Sequence, residues 1–251
     1  MNSQINPQIS PVHDVETPSV ILHNINKTYR LDAVDVPALT DMNLLIRPNR
    51  FTVVSGASGS GKTTLLNVMG CIDIPNSGEV IVAGTAVQKL SDDELADFRA
   101  KNIGFIFQNF NLLPVLTTFE NVEYPLIMAG VSPERRKRRV EKLLEAVGLA
   151  DKAKNRPGQL SGGQRQRVAV ARALACKPKL VLADEPTANL DSVTGTAIIR
   201  LMRRMQQVYN IAFVFSSHDP KVLAEADDSI TIRDGRIVAV KRSDAHTEVT
   251  E

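Results

Sequence analysis

A glycine-rich segment of the chain carries the residue types that bind phosphate groups. Residues 51–55 (FTVVS) form a short apolar run, and residues 56–63 (GASGSGKT) match the pattern GxxxxGK[ST]. Glycines let successive N–H groups turn around an anion, and the helix predicted from Lys62 to Met69 points its positive dipole end at the same place. We therefore predict a loop that binds the phosphates of a nucleoside triphosphate.

Within this loop, Lys62 would lie beside the terminal phosphates and the hydroxyl of Thr63 would bind Mg²⁺. The alternative is a strand-to-helix turn that is rich in small residues by chance. It is disfavoured because the glycines, the lysine and the threonine all stand in register. The predicted nucleotide-binding residues here are Gly56, Ala57, Ser58, Gly59, Ser60, Gly61, Lys62, Thr63 and Thr64.

Two acidic residues, Asp184 and Glu185, follow a second apolar run at 180–183 (LVLA). Adjacent carboxylates beside a buried strand are costly unless a positive charge lies near them. A Mg²⁺ ion held by Thr63 and Asp184 would supply that charge, and Glu185 could take a proton from an attacking water. An exposed loop is the alternative.

Two further polar residues follow predicted apolar strands. Gln108 comes after the strand predicted at 103–107, and His218 follows the one predicted at 211–215. Alone, Gln108 is either a turn residue or a ligand to metal and water, and a single histidine is more often structural. Parallel strands place their carboxyl ends at one edge of the sheet, so we expect both side chains near the phosphate loop.

The segment 160–164 (LSGGQ) precedes a helix predicted from Arg165 to Cys176. Ser161 and Gln164 fit a capping box, which would make the segment only a well-capped helix start. The glycines between them leave unobstructed N–H groups, which would make it a second anion site. Asp191 is predicted to cap the next helix.

The first part of the chain predicts an antiparallel unit, with strands at 20–25, 38–46 and 80–83 and a turn at 31–37. Tyr29 in this unit either packs as an ordinary strand aromatic or stacks on a purine base. A hairpin is predicted at 228–240, around the turn Asp234-Gly235. The fold class is therefore α/β, with a mostly parallel sheet flanked by helices and a small antiparallel β subdomain.

Helices are predicted at 91–100, 117–128 and 133–147, and the last two lie in a helical subdomain at about 109–176. The basic run at 135–139 is either a solvated helix face or a site for anionic lipid headgroups. The apolar side chains at 112–116 are either local core or a surface for another protein.

Composition sets further limits. The 251 residues are 43% hydrophobic with a net charge of +2, which is typical of one globular domain and gives no indication of nucleic-acid binding. Cys71 and Cys176 lack a CxxC spacing, so we expect reduced, buried thiols. Residues 1–18 and 241–251 are predicted tails, the first disordered and unlike a secretory signal, on either side of a domain at 19–240. No apolar run is long enough to span a bilayer.

Over about residues 20–240 the chain resembles the nucleotide-binding subunits of ATP-binding-cassette (ABC) transporters. The resemblance depends on GASGSGKT at 56–63, LSGGQ at 160–164 and LVLADEP at 180–186, in that order. The segments PALTDMNLLI and ADEPTANLD look most similar to the LolD/MacB-like branch, which serves lipoprotein release and macrolide export. The resemblance implies a P-loop NTPase fold and an ATPase with ATP and Mg²⁺ as cofactors.

The resemblance also implies a role for each matching residue. Tyr29 is the aromatic that stacks on adenine, and Lys62 with the loop amides holds the β- and γ-phosphates. Thr63, Gln108 and Asp184 form the Mg²⁺ shell, with Glu185 as general base and His218 as the switch residue at the γ-phosphate. The residues expected to act across a dimer are Ser161, Gly162, Gly163, Gln164 and Asp191.

The partners that the resemblance implies are a second copy of the chain and an integral membrane permease. Two ATP molecules would lie between head-to-tail subunits, in the cytoplasm on the inner face of the membrane, with membrane contact through the permease only. The alternative function is an ATP-gated regulatory subunit of a signalling or cell-division complex.

Overall fold

The structure is a computed structural model that describes residues 17–32 and 34–243, so most of the predicted N-terminal tail lies outside the described residues. The strands are β1 (Val20–Leu31), β2 (Val34–Ile46), β3 (Phe51–Ser55), β4 (Ser77–Val82), β5 (Thr85–Ala86), β6 (Ile103–Ile106), β7 (Leu180–Ala183), β8 (Ala212–Ser216), β9 (Asp228–Arg233) and β10 (Arg236–Arg242). The helices are α1 (Lys62–Met69), α2 (Asp92–Asn102), α3 (Thr118–Met128), α4 (Pro133–Ala146), α5 (Gly162–Ala173), α6 (Ser192–Tyr209) and α7 (Pro220–Ala224).

The larger sheet has six strands in the order β10-β9-β3-β8-β7-β6. Every neighbouring pair is parallel except the hairpin of β9 and β10. Its central strands are apolar because both faces are covered by other elements. The predicted α/β class is confirmed, and the carboxyl ends of β3, β6, β7 and β8 meet at one edge.

The smaller sheet is antiparallel, in the order β2-β1-β4-β5. The predicted turn at 31–37 is too long, since β1 continues to Leu31, which pairs directly with Val34 at the start of β2. Pro37 favoured a turn in the sequence, but it lies in β2 at the edge of this sheet, opposite Thr28. A proline is tolerated on an edge strand because no further strand needs its missing N–H.

Three helices between β6 and β7, namely α3, α4 and α5, pack on one another. The predicted start of α5 at Arg165 is wrong. Ser161 is its N-cap and accepts a hydrogen bond from the amide of Gln164 at 3.2 Å, so Gly162 and Gly163 both lie in the first turn. The helix ends at Ala173, before Cys176, and Pro125 is contained inside α3.

The predicted start of the C-terminal tail, at residue 241, is wrong, because Lys241 and Arg242 belong to β10. The amide of Ser243 also bonds to the carbonyl of Asp227 at 2.8 Å.

No helix within residues 17–32 and 34–243 has the length and apolarity needed to cross a membrane. Cys71 is buried, with a pKa raised to about 11 by burial, whereas Cys176 is half-buried.

Structural partners account for two of the five basic residues at 135–139. The Arg136 guanidinium pairs with Glu123 at 2.8 Å, and Arg139 donates to the carbonyls of Leu174 and Ala175 at 2.7 and 3.2 Å. Because these two side chains face protein, the run is not a uniform solvated face.

Candidate active site

The phosphate loop joins β3 to α1 and folds around the side chain of Lys62. The Lys62 ammonium donates to the carbonyls of Gly56 and Ala57, each at 2.9 Å, and the residue is 7% exposed. Gly61, at φ 103°, lies so close to β2 that a Cβ there would be 2.6 Å from the carbonyl oxygen of Ala38. The sequence needs glycine at this position both for the backbone angle and for the close approach.

The loop is also held from outside by the β9–β10 hairpin. The amide of Gly235 donates to the carbonyl of Ser60 at 3.0 Å, and the carbonyl of Gly235 accepts from the amide of Thr40 at 2.8 Å. These bonds connect both sheets to the phosphate loop. The hydroxyl of Ser60 is buried and has no hydrogen-bond partner among the described residues.

The carboxylate of Asp184 lies beside the start of α1. Thr63 donates its hydroxyl to Asp184 Oδ2 at 2.9 Å, and Ser216 donates to Oδ1 at 2.7 Å. Ser216 is fully buried at the end of β8, and its hydroxyl also accepts from the amide of Glu185 at 2.8 Å. A single hydroxyl is therefore hydrogen-bonded to both acidic residues. The sequence analysis missed this role, because no motif distinguishes Ser216 from an ordinary residue at the end of a strand.

The oxygens of Thr63 and Asp184 suit Mg²⁺, a hard cation that prefers oxygen ligands and in nucleotide sites uses few protein groups beside phosphates and water. Their 2.9 Å separation brings a hydroxyl and a carboxylate to one point next to the phosphate loop. Among the described residues no cluster of three or more acidic, histidine or cysteine side chains could hold a metal unaided. The donor set therefore fits a Mg²⁺ ion that arrives with a triphosphate.

Glu185 and His218 face each other across the same edge. His218 Nδ1 lies 3.9 Å from Glu185 Oε1, with the histidine side chain 77% exposed and that of the glutamate 28% exposed. Glu185 has φ 42°, a left-handed conformation that costs a non-glycine residue about 1–3 kcal/mol. The hydrogen bond to Ser216 helps to hold this backbone angle.

Gln108 is exposed and lies two residues beyond the end of β6. Its carbonyl accepts from the side-chain amide of Asn189 at 3.1 Å, and Asn189 also donates to Asn109 at 2.9 Å. Asn189 therefore ties the Gln108 loop to the segment after Glu185. Sequence reasoning missed Asn189, because no motif position distinguishes it from a turn residue.

Helix α5, which begins with the LSGGQ segment at 160–164, is hydrogen-bonded to the residues that follow β7. Gln166 is fully buried in α5 and donates to the carbonyl of Pro186 at 2.7 Å. A Cβ on Gly163 would lie 2.5 Å from the Thr194 methyl group, so this glycine lets α5 contact α6 closely. Within the described part of the chain, no hydrogen bond joins residues 161–164 to the phosphate loop.

Asp191 is the N-cap of α6, as predicted. Its side chain accepts from the amides of Val193 and Thr194 at 3.1 and 3.0 Å. The side-chain and backbone hydrogen bonds from Thr194 lower the pKa of this exposed carboxyl. Within the described part of this chain, no hydrogen bond joins the Asp191 side chain to Asp184 or Glu185.

Tyr29 lies in β1, half-buried, and its hydroxyl donates to Asp73 Oδ2 at 2.5 Å. Burial raises the pKa of this phenol and the bond to Asp73 raises it further, while the Thr64 side chain acts in the opposite direction. The Thr64 interaction connects the aromatic ring to the first turn of α1. Asp73 was not singled out from the sequence.

The family model for the ABC transporter matches residues 39–188, from β2 to the residues after Glu185. This chain belongs to the ABC transporter family. Within that family it is an ATP-binding cassette and an ATPase.

Two curated relatives of the ABC cassette illustrate different chain lengths. An uncharacterized ABC transporter ATP-binding protein of Thermotoga maritima is 46% identical over 88% of this chain and 94% of its own length. The macrolide export ATP-binding/permease protein MacB of Syntrophobacter fumaroxidans is 46% identical over 86% of this chain. The match spans only 30% of that longer protein.

Among solved structures, the ABC cassette superimposes on MJ0796 of Methanocaldococcus jannaschii with a TM-score of 0.82 and 42% identity. The match covers 89% of this chain and 98% of that one. That structure is a dimer in a post-hydrolysis state bound to ADP and phosphate. The likeness agrees with ATP binding and hydrolysis by this chain.

Proposed function

We propose that this cassette is the ATP-hydrolysing subunit of a membrane export complex, in which two copies close head to tail around two Mg²⁺-ATP. The observation that carries the proposal is the convergence of Lys62, Thr63, Asp184, Glu185 and His218 at one sheet edge. Each copy would contribute Ser161 and its neighbours to the nucleotide held by the other copy.

In the proposed reaction, Lys62 and the loop amides hold the β- and γ-phosphates, while Thr63, Asp184 and Gln108 hold the metal. Bound Mg²⁺ would neutralise charge that develops on the phosphate oxygens. Glu185 takes the proton of the attacking water, since its carboxylate points to the same edge as His218. His218 donates to the γ-phosphate, and its 77% exposure leaves it free to do so.

The separation of the LSGGQ segment at 160–164 from the phosphate loop supports the dimer. Within the described part of one chain, the amide-rich start of α5 makes no hydrogen bond to the loop that it would need to assist. A second copy related by two-fold symmetry would bring the two together, because such an interface presents the same surfaces in both directions. The dimeric structures of the MJ0796 cassette agree with this arrangement.

An exposed apolar surface on the helical part of the chain supports a protein partner. Val115 is 72% exposed and Met128 is 67% exposed, and Tyr124 and Ile127 lie between them in sequence with 45% and 47% exposure. Exposed large apolar side chains such as these commonly mark an interaction site. MacB relatives carry an ATP-binding and a permease part in one protein, so we assign the partner to an integral membrane subunit.

The proposed location is therefore cytoplasmic, at the inner face of the membrane, with contact through that subunit. The alternative of an ATP-gated regulatory subunit gains no support from the comparisons. Cell fractionation tests the location: the cassette should be found with the membranes and be released by urea. Recovery of the cassette only in the soluble fraction would contradict the proposal.

Mixing two inactive variants tests the dimer. Lys62→Ala removes the phosphate-loop charge, and Ser161→Asp keeps a good helix cap while it places a negative charge at the triphosphate. Each variant alone should have little ATPase activity. A mixed dimer has one site with both native residues, so a 1:1 mixture should recover roughly a quarter of native activity if subunits exchange freely.

Thr117→Asp is the matched control, because Thr117 is the N-cap of α3 and makes the same kind of capping box away from the site. It should leave ATPase activity unchanged. If Ser161→Asp alone is as active as the native chain, or if the mixture recovers nothing while both variants fold, the head-to-tail arrangement is wrong.

A further inference from the structure

Asp73 bridges two side chains of β1 from a position on another segment. The carboxylate accepts from the Lys27 ammonium at Oδ1 and from the Tyr29 hydroxyl at Oδ2, each at 2.5 Å. The same ammonium lies 5.0 Å from the centroid of the Tyr29 ring, over one of its faces. The ring is therefore held at its hydroxyl and covered by a cation on one side.

Both members of the ion pair are largely shielded from solvent, with side chains 13% exposed for Lys27 and 23% exposed for Asp73. Burial alone would raise the pKa of Asp73, but the hydrogen bonds from Lys27 and Tyr29 outweigh it and lower the pKa. An ion pair exposed to solvent would do little to hold the Tyr29 ring in one orientation. A shielded pair with two short hydrogen bonds restricts the motion of the ring.

The segment that carries Asp73 is fixed to the helix of the phosphate loop. Its backbone amide donates to the carbonyl of Asn67 in α1 at 3.2 Å, and α1 begins at Lys62. The Lys27 ammonium also donates to the carbonyl of Ile74 at 2.8 Å. A continuous path of hydrogen bonds and one short helix thus connects the ring of Tyr29 to the phosphate-binding residues.

We propose that Asp73 is a positioning residue for nucleobase recognition, which with Lys27 holds the Tyr29 ring at a fixed place relative to the phosphate loop. Because Lys27 covers one face of the ring, adenine stacks on the other. The inference rests on the proposed assignment of Tyr29 as the base-stacking residue. The fixed spacing favours a ligand that carries both a purine base and a triphosphate.

If Asp73 had a purely structural role, its bonds between β1 and the segment after α1 would stabilise the fold whether or not a nucleobase is bound. The two roles are separated by a ligand that lacks the base. Inorganic tripolyphosphate contacts the phosphate loop only, whereas ATP must also stack on Tyr29. Loss of positioning should weaken ATP binding and leave tripolyphosphate binding unchanged.

The experiment compares the native chain with Asp73→Asn, Tyr29→Ala and Tyr29→Phe. Equilibrium binding of Mg²⁺-ATP and of Mg²⁺-tripolyphosphate is measured, together with KM, kcat and thermal unfolding. Asp73→Asn should raise KM and the ATP dissociation constant about tenfold with kcat nearly unchanged, because it removes binding that is equal in ground and transition states. Asp97→Asn, an exposed helix position with a side chain 78% exposed, is the control and should change neither.

Tyr29→Phe keeps the ring and removes only the hydroxyl, so it should weaken ATP binding in the same direction. Combined with Asp73→Asn it should add little, because both changes remove one hydrogen bond. This variant also tests the inference if Asp73→Asn fails to fold.

The outcomes separate the inference from the assignment on which it rests. If Tyr29→Ala weakens ATP binding but Asp73→Asn and Tyr29→Phe do not, the positioning role is wrong and the stacking role stands. If Tyr29→Ala has no effect on ATP binding, the stacking assignment is wrong. Equal weakening of ATP and tripolyphosphate by Asp73→Asn would overturn the inference in favour of a structural role.

Discussion

The hydroxyl of Thr63 lies 2.9 Å from Asp184 Oδ2, although 121 residues separate the two in sequence. This contact joins the first turn of α1 to the end of β7. It places a neutral oxygen and a carboxylate side by side at the phosphate loop, where a metal-bound triphosphate would need them.

Ser216→Ala should impair catalysis more than nucleotide binding. The variant leaves Asp184 Oδ1 and the Glu185 amide without their partner, and a lost buried hydrogen bond costs about 1–3 kcal/mol. We expect a fall in kcat of about tenfold, since Glu185 would lose its fixed orientation.

Steady-state kinetics with thermal unfolding would measure this effect. The control is Ser217→Ala, because Ser217 is also buried but, among the residues that the structure describes, its hydroxyl bonds only to the Asp219 amide, at 3.1 Å. A normal kcat for Ser216→Ala would show that the hydroxyl does not orient the acidic pair.

Gly61→Ala should destabilise the fold and weaken ATP binding. The new Cβ would lie 2.6 Å from the Ala38 carbonyl at a φ of 103°, so β2 or the loop must move. We expect a loss of about 1–3 kcal/mol from the backbone angle, increased by the clash. Chemical unfolding gives the comparison.

The matched control is Gly84→Ala, at φ 82° with no atom within 4 Å of the added Cβ. It adds the backbone strain without the clash. If both variants lose the same stability, the close approach to Ala38 contributes nothing.

Asp227→Asn should lower stability in a manner that depends on pH. Asp227 accepts from Arg203 at 2.5 and 2.6 Å and from the Phe51 amide at 2.8 Å. Burial raises the pKa of this carboxyl, but the Arg203 and Phe51 bonds outweigh it and lower the pKa below its ordinary value. The charged form therefore stabilises the fold above that value, and the stabilisation is lost as pH falls through the lower, folded pKa.

We expect the variant to be about 1–3 kcal/mol less stable near neutral pH. The difference from the native chain should start to shrink below about pH 4, the ordinary aspartate pKa that applies in the unfolded chain, and should be lost as the pH falls through the lower pKa of folded Asp227. Urea unfolding at several pH values measures it. A difference that stays constant from neutral pH to pH 3 would contradict the ionic role.

The sequence predicted which edge of the sheet carries the site, because most of the functional groups follow an apolar strand or open a helix. The ends of β3, β7 and β8 are marked by uninterrupted apolar runs, so Asp184 and His218 could be assigned to one edge. Ser161 and Asp191 were recognisable as caps, because short polar residues before a helix have a local cause.

Other features were not predictable because their cause is not local. Pro37 indicates a turn, and only the edge position of β2 makes it acceptable in a strand. Asp73 and Ser216 carry no motif, and their roles follow from partners 44 and 32 residues away. Neighbouring strands and loops decide such contacts.

The most direct test of the proposed mechanism is the Glu185→Gln variant in the presence of Mg²⁺-ATP. Glutamine keeps the size of the side chain but cannot take the proton of water, so kcat should fall by about 10²–10⁴. Light scattering should detect a stable dimer with ATP bound, and Glu145→Gln, an exposed α4 position, should behave as the native chain. If Glu185→Gln hydrolyses ATP at the native rate, Glu185 is not the general base and the proposed mechanism fails.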